Sequence, residues 1–216
     1  PAVLRPVQGA LNRVNHLAHF HLAWPEKALL AGAIEGDYRK GPLDGEQADA
    51  VTRGVQLHRV IDAYTDQHPD LAALRREFSP GLRRYAGILL DLCFDHYLSL
   101  HWRAFADLEL QAFNEQVLTV LENEPQLLGA SSRRAVQRFR QYRVLTRYGD
   151  WDMVTASAAR VGERLRHANP LHDVDEELVG LRPGIEQAFL DFYPQLDRHV
   201  REWRSTTGDR IVAADD

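Results

Sequence analysis

Two residue pairs with four-residue spacing carry the strongest chemical signal in this sequence. His58 and Asp62 bracket Arg59-Val60-Ile61, and Asp91 and Asp95 bracket Leu92-Cys93-Phe94, with His96 next in the chain. On a helix, residues i and i+4 project from one face. A lone His/Asp pair of this kind is ordinarily a surface pair worth roughly 0.2–0.5 kcal/mol. The second pair differs because it interrupts the most apolar segment of the chain, where no Lys or Arg lies between Arg84 and Arg103. An ionised carboxylate buried without a partner is strongly unfavourable. A metal ion would satisfy both acids, and so would His58 in its charged form.

Further candidate groups flank these pairs. Asp37 combines a possible ligand with the basic run Tyr38-Arg39-Lys40-Gly41, which suits an anion. Thr65-Asp66-Gln67-His68-Pro69 brings another carboxylate and imidazole close to His58. Taken singly these are ordinary turn residues; together they are three segments able to converge on one ion. The run Asn15-His16-Leu17-Ala18-His19-Phe20-His21-Leu22 adds three imidazoles. If helical, His16 and His19 share a face; if extended, His19 and His21 do, and at least one of the three is expected to be a structural hydrogen-bonding histidine. Seven of the ten histidines precede residue 102, among many Asp, and imidazole with carboxylate is the usual ligand set of a hydrolytic metal centre. Cys93, flanked by carboxylates, reads as a small core residue. With no Gly-rich phosphate loop and no Ser nucleophile elbow, nucleotide kinases and serine hydrolases are poor readings.

The elements that must position these groups are helices. The chain has 216 residues, 44% apolar and 26% charged, the balance of a globular protein. One cysteine rules out a disulfide framework. The net charge of −5 argues against a nucleic-acid partner. No apolar run is long enough to span a membrane, and the lack of a charged-then-apolar leader pattern reads as cytoplasmic. Helical periodicity predicts a short helix over 28–37 and longer ones over 46–64 and 82–102, the latter apolar on most sides and hence central. More are expected near 107–122, 131–147, 150–167 and 174–204. The fold class is therefore all-α, a single-domain helical bundle spanning 14–206, with a ragged extension at 1–13 and a tail at 207–216.

Four segments in this order resemble one family. They are Asn15 to Ala23; Gly36 to Gly41; His58 to Asp62 with Thr65 to Pro69; and Leu90 to Leu98 with His101-Trp102. They look like the signature of bacterial acyl carrier protein phosphodiesterases, atypical members of the HD-type metal-dependent phosphohydrolases. The resemblance runs from about residue 14 to 200 and includes Asp191-Phe192-Tyr193-Pro194; Tyr38 and His16 stand where other side chains would be expected. It implies hydrolysis of the phosphodiester joining 4′-phosphopantetheine to the carrier protein's serine, releasing apo carrier protein. It also implies a divalent ion, manganese by preference, with magnesium or iron as alternatives.

Transferred to this chain, the ligand set is Asp37, His58, Asp62 and Asp95, with Asp91, Asp66 and His96 near the ion. Arg59 or Lys40 would contact the phosphate, and His96 or His68 would handle a proton. The holo carrier protein is acidic, so a cationic docking surface is expected. Between Pro125 and Gly149 lie six arginines and no acid. On a helix Arg133, Arg140, Arg143 and Arg147 fall on one face, either for docking or as a solvated face compensating acids in 173–191. Two other readings compete: an HD-type phosphohydrolase acting on a nucleotide or small phosphoester, and a helical binding module that keeps an ion as structural glue.

Overall fold

The computed structural model describes residues 16–43 and 50–212, with side chains to residue 206. Among these every regular element is helical: α1 His16–Ala23, α2 Lys27–Glu35, α3 Ala50–Gln67, α4 Pro69–Glu77, α5 Ala86–Leu100, α6 Leu110–Asn123, α7 Ala130–Tyr142, α8 Trp151–Arg164 and α9 Asp175–Val212. Short 3₁₀ turns at Arg83–Tyr85, Trp102–Ala104, Pro125–Leu127 and Leu145–Arg147 join them. The all-α, single-core expectation agrees with this architecture.

α5 is the central helix. It is buried around most of its circumference and packs on α1, α8 and α9. α9 lays a stripe of Leu178, Ile185, Phe189, Phe192, Leu196 and Val200 against this core at helical spacing. That stripe holds α9 together through Pro183 and Pro194, each of which removes a helix donor. The helix runs to Val212, past the boundary expected at residue 206. The expected 1–13 extension and the first residues of the expected 46–64 helix lie outside the described residues.

Two segments differ from the periodicity reading. α4 has no place in it, although its local signals are complete: Pro69 in the first turn, Asp70 beside it, and Arg75 and Arg76 in the last turn. The expected 131–147 helix stops at Tyr142, because Arg143 takes a left-handed backbone (φ 51) and the chain turns into the 3₁₀ segment.

α2 and α3 cross in backbone contact. A Cβ placed on Gly32 would fall 2.2 Å from the Gly54 carbonyl carbon, so this crossing tolerates only glycine. The contact brings the middle of α3, with His58, under the C-terminal end of α2.

His21 is the structural histidine of the N-terminal run. Its Nδ1 lies 2.8 Å from the Tyr193 hydroxyl and its Nε2 3.1 Å from the Phe105 carbonyl. Burial pushes its pKa below 6.5, and burial does the same to His96. The unfolded chain therefore takes up protons near pH 6.5 that the folded chain refuses, so stability falls as pH drops below that value. The contribution of these two residues is flat from about pH 8 to 7 and is lost from about pH 6.5 toward 5, opposite in sign to that of His58 and Asp95, so replacing both with Gln should flatten that part of the urea-midpoint profile. A double variant whose midpoint falls below pH 6.5 as steeply as that of the wild type would contradict this assignment.

Candidate metal centre

The site begins with Asp95. This residue of α5 is fully buried, and its two oxygens accept hydrogen bonds from the Leu17 and Ala18 amides, each at 2.9 Å. Those amides belong to the first turn of α1, which has no intrahelical acceptors for them. The carboxyl group, 77 residues away, thus fixes the start of α1. Burial, offset by these amides, leaves its pKa well above the ordinary carboxylate range. With α1 helical, His16 and His19 fall on one face.

His58 arrives from the other side. Its Nδ1 stands 2.8 Å from the Ala33 carbonyl, a contact that requires a proton on Nδ1 and turns Nε2 away. Nε2 points to Asp62 Oδ2 at 3.3 Å, while His19 Nε2 lies 3.4 Å from Asp62 Oδ1. The two imidazoles stack with centroids 4.2 Å apart. Gly36 leaves room for this: a Cβ there would lie 2.3 Å from His58 Cγ. Asp37 follows immediately, buried, with Oδ2 3.7 Å from His16 Nδ1.

The electrostatics are those of a cation site. Burial opposes charge on both His58 and Asp62, yet the contacts between them win. His58 is raised by Asp62 and then by Asp37, and Asp62 is held below the usual carboxylate range by His19 and His58. His16 is driven the opposite way, to about 3, by burial first and then by the charges of His19 and His58. The fold therefore sets carboxylate charge against His58 and stabilises a positive charge there.

One ligand atom from each of His19, His58 and Asp62 lies within 4.8 Å of the others. Mixed imidazole and carboxylate donors suit manganese, iron or zinc, and the backbone bond at His58 Nδ1 is the support that ligating histidines usually have. The residues present fit a divalent ion.

Of the sequence candidates, His58 and Asp62 stand together, with Asp37 acting on His58. The fourth expected ligand, Asp95, is not part of this group, because both of its oxygens serve α1. His19, absent from the expected set, takes the adjoining place. The signal for it was the His16–His19 spacing, which counts only once α1 is known to be helical.

His96 faces away, with Nδ1 2.9 Å from the Tyr148 carbonyl and its ring against Trp151. Tyr148 is hydrogen-bonded to the His16 backbone, so His96 supports the site from behind. Asp91 carries a charge that reaches Asp95. His68 precedes α4 and packs on Tyr64 and Phe192, and Asp66 pairs with Arg75 at 3.2 Å; neither joins the cluster. Arg59 donates to the Arg39 and Gly41 carbonyls at 3.0 and 2.8 Å, bracing the loop after Asp37, while Lys40 is exposed.

The expected arginine face does not form. Arg133 bonds to the Pro125 and Leu128 carbonyls, Arg140 pairs with Glu115 and Glu122 of α6, and Arg143 and Arg147 lie beyond the end of α7. Acids on α6, rather than those of 173–191, compensate Arg140.

Gly36→Ala should move the His58 ring, since Cγ is not a side-chain tip that can swing aside. The expected result is a tenfold or greater loss of Mn²⁺ affinity, since losing a group that orients a ligating histidine typically costs about 10–100-fold. Calorimetric titration of the variant checks this; wild-type affinity would mean that the backbone absorbs the methyl group.

Among the described residues the regular elements are all helical and carry a histidine–aspartate cluster that could hold a divalent cation. Residues 14–196 match the family described as acyl carrier protein phosphodiesterase. Relatives of that name from Escherichia coli O6:K15:H31 (strain 536) and O6:H1 (strain CFT073) are each 31% identical over 189 residues, covering 85% of this chain and 95% of the relative. No solved structure matches the chain. The chain belongs to the acyl carrier protein phosphodiesterase family.

Proposed function

We propose that the protein is a metal-dependent phosphodiesterase that cleaves 4′-phosphopantetheine from the serine of holo-acyl carrier protein. The observation that carries this reading is the convergence of His19, His58 and Asp62, from two helices, in a chain of this family. These three would hold the ion, with Asp37 as a further acid beside it. Mn²⁺ is the preferred metal, ahead of Mg²⁺ or Fe²⁺. A divalent cation supplies acidification of water and withdrawal of charge from a phosphoryl oxygen.

The chain's own residues supply the rest. Ala33 and Gly36 fix the plane and tautomer of His58, so that Nε2 is the atom presented. Neutral His16 is too weak a base to hold a proton at working pH and serves Asp37 Oδ2 as a neutral neighbour. Burial of His19 and His58 limits water around the cluster, while Asp62, 18% exposed, is its contact with solvent. Arg59 braces the 39–41 loop and so keeps Lys40 and Arg39 beside Asp37, where a phosphate needs cations.

An acidic carrier meets exposed Arg138 and Arg164, whose charges reach the Tyr38 hydroxyl next to Asp37. Such an enzyme works in the cytoplasm with its substrate.

Incubation with holo-acyl carrier protein and Mn²⁺ should remove the mass of the prosthetic group from the carrier. A chelator should stop the reaction and added Mn²⁺ restore it. Turnover that persists unchanged in chelator would overturn the reading.

A further inference from the structure

The cleft between α6 and the end of α7 holds a polar group that the histidine–aspartate cluster does not use. Asn114 is 2% exposed, and neither its Oδ1 nor its Nδ2 has a hydrogen-bond partner. A buried amide left unsatisfied costs stability that an apolar residue of similar shape would not. Asn114 lines a cleft of about 120 Å³ together with Leu118 on its own helix, Phe139 and Arg140 of α7, and Arg143 and Thr146 of the turn beyond. That turn contains the left-handed Arg143, a conformation unfavourable for a residue with a Cβ. An unsatisfied amide and a strained backbone thus meet in one cleft.

The cleft adjoins the candidate metal centre. The Phe139 ring in its wall lies 4.8 Å from the His16 ring, and His16 in turn faces Asp37. The rings of Phe139 and His16 therefore stand between the cleft and the cluster. Compact small molecules occupy clefts of about 300–1,000 Å³, so a volume of about 120 Å³ suits a thin segment of a longer chain. The walls set the chemistry of that segment. Leu118 and Phe139 favour methylene groups, while the Asn114 carboxamide, with its N–H donors and its acceptor oxygen, can bond either the C=O or the N–H of a secondary amide.

We infer that this cleft binds an amide-bearing stretch of the flexible chain leading away from the scissile phosphate, with Asn114 pairing to one of its amides. The inference rests on the phosphodiesterase reading, in which that chain is the pantetheine arm. Asn114 is then a specificity residue: its unsatisfied amide is tolerated in the free protein because the substrate completes it.

The test uses the full chain and free pantetheine as the probe. Asn114→Leu removes the amide at similar volume. It should weaken pantetheine binding about tenfold or more by calorimetry and raise KM for holo-acyl carrier protein by a similar factor. Its thermal midpoint should equal or exceed that of the wild type, a change a merely structural asparagine would not give. In the wild type, pantetheine should shift the Asn114 side-chain amide resonances, a measurement that stands even if the variant does not fold. Wild-type turnover of the carrier, combined with unchanged pantetheine affinity in the variant or unmoved Asn114 resonances, would overturn the cleft alone. No turnover by the wild-type enzyme would overturn the phosphodiesterase reading and this inference with it.

Discussion

Asp62→Asn should reduce hydrolysis of holo-acyl carrier protein by about a thousandfold or more, the rate equivalent of the several kcal/mol that a catalytic cation contributes. The substitution is nearly isosteric, so the helices should remain. What it removes is the charge that faces two imidazoles at 3.3 and 3.4 Å. Without that charge His58 loses the main influence raising its pKa, and the cluster loses its anionic donor.

A second readout separates this cause from unfolding. In the wild type, a proton on His58 Nε2 competes with a cation for the same position, so binding Mn²⁺ near neutral pH should release protons. In Asp62→Asn that release should shrink along with the affinity. A variant with wild-type turnover, or with full proton release on metal addition, would remove Asp62 from the centre.

The sequence made much of this architecture readable because the long helices are strongly periodic. α3 and α5 carry the apolar spacing that predicts them, and the His58–Asp62 pair follows from helical geometry alone. The parts that could not be read depend on partners distant in sequence. Whether His16–Leu22 is helix or strand is not decided within those residues; the Asp95 carboxyl decides it by satisfying the Leu17 and Ala18 amides from α5. His19 therefore could not be separated from His21 as a site residue.

Asp95 invites a ligand role for a sound reason. A carboxyl group in an apolar helix must be paired, but backbone amides satisfy it as well as a cation does. The arginine face failed on the opposite ground. Extending helical periodicity through Arg147 assumes that nothing ends α7, and a left-handed arginine at 143 has none of the Gly or Asn signals that announce such an end. The mutual requirement of Gly32 and Gly54 is equally silent in sequence, since it is a property of two helices in contact.

Asp95→Ala provides the sharpest test of that reassignment, because the two roles predict different patterns. A residue that ligates only the metal would lose affinity on substitution while the metal-free protein kept its stability. A residue that anchors α1 leaves two buried amides unsatisfied when truncated, each costing about 1–3 kcal/mol, so the loss is roughly 2–6 kcal/mol. That is a large share of the stability of an ordinary domain. The metal-free variant should therefore unfold at a clearly lower urea concentration. Helix α1 should exchange its amide hydrogens faster than α5 does, since its first turn has lost its acceptors. Activity should fall as well, but through His16 and His19, which ride on α1. It follows that raising the Mn²⁺ concentration should recover part of the turnover in Asp95→Ala and none in Asp62→Asn: the ligand atoms of the first variant are intact and only their helix is loosened. An Asp95→Ala protein of wild-type stability that no longer binds Mn²⁺ would return Asp95 to the ligand set and sink the anchoring role.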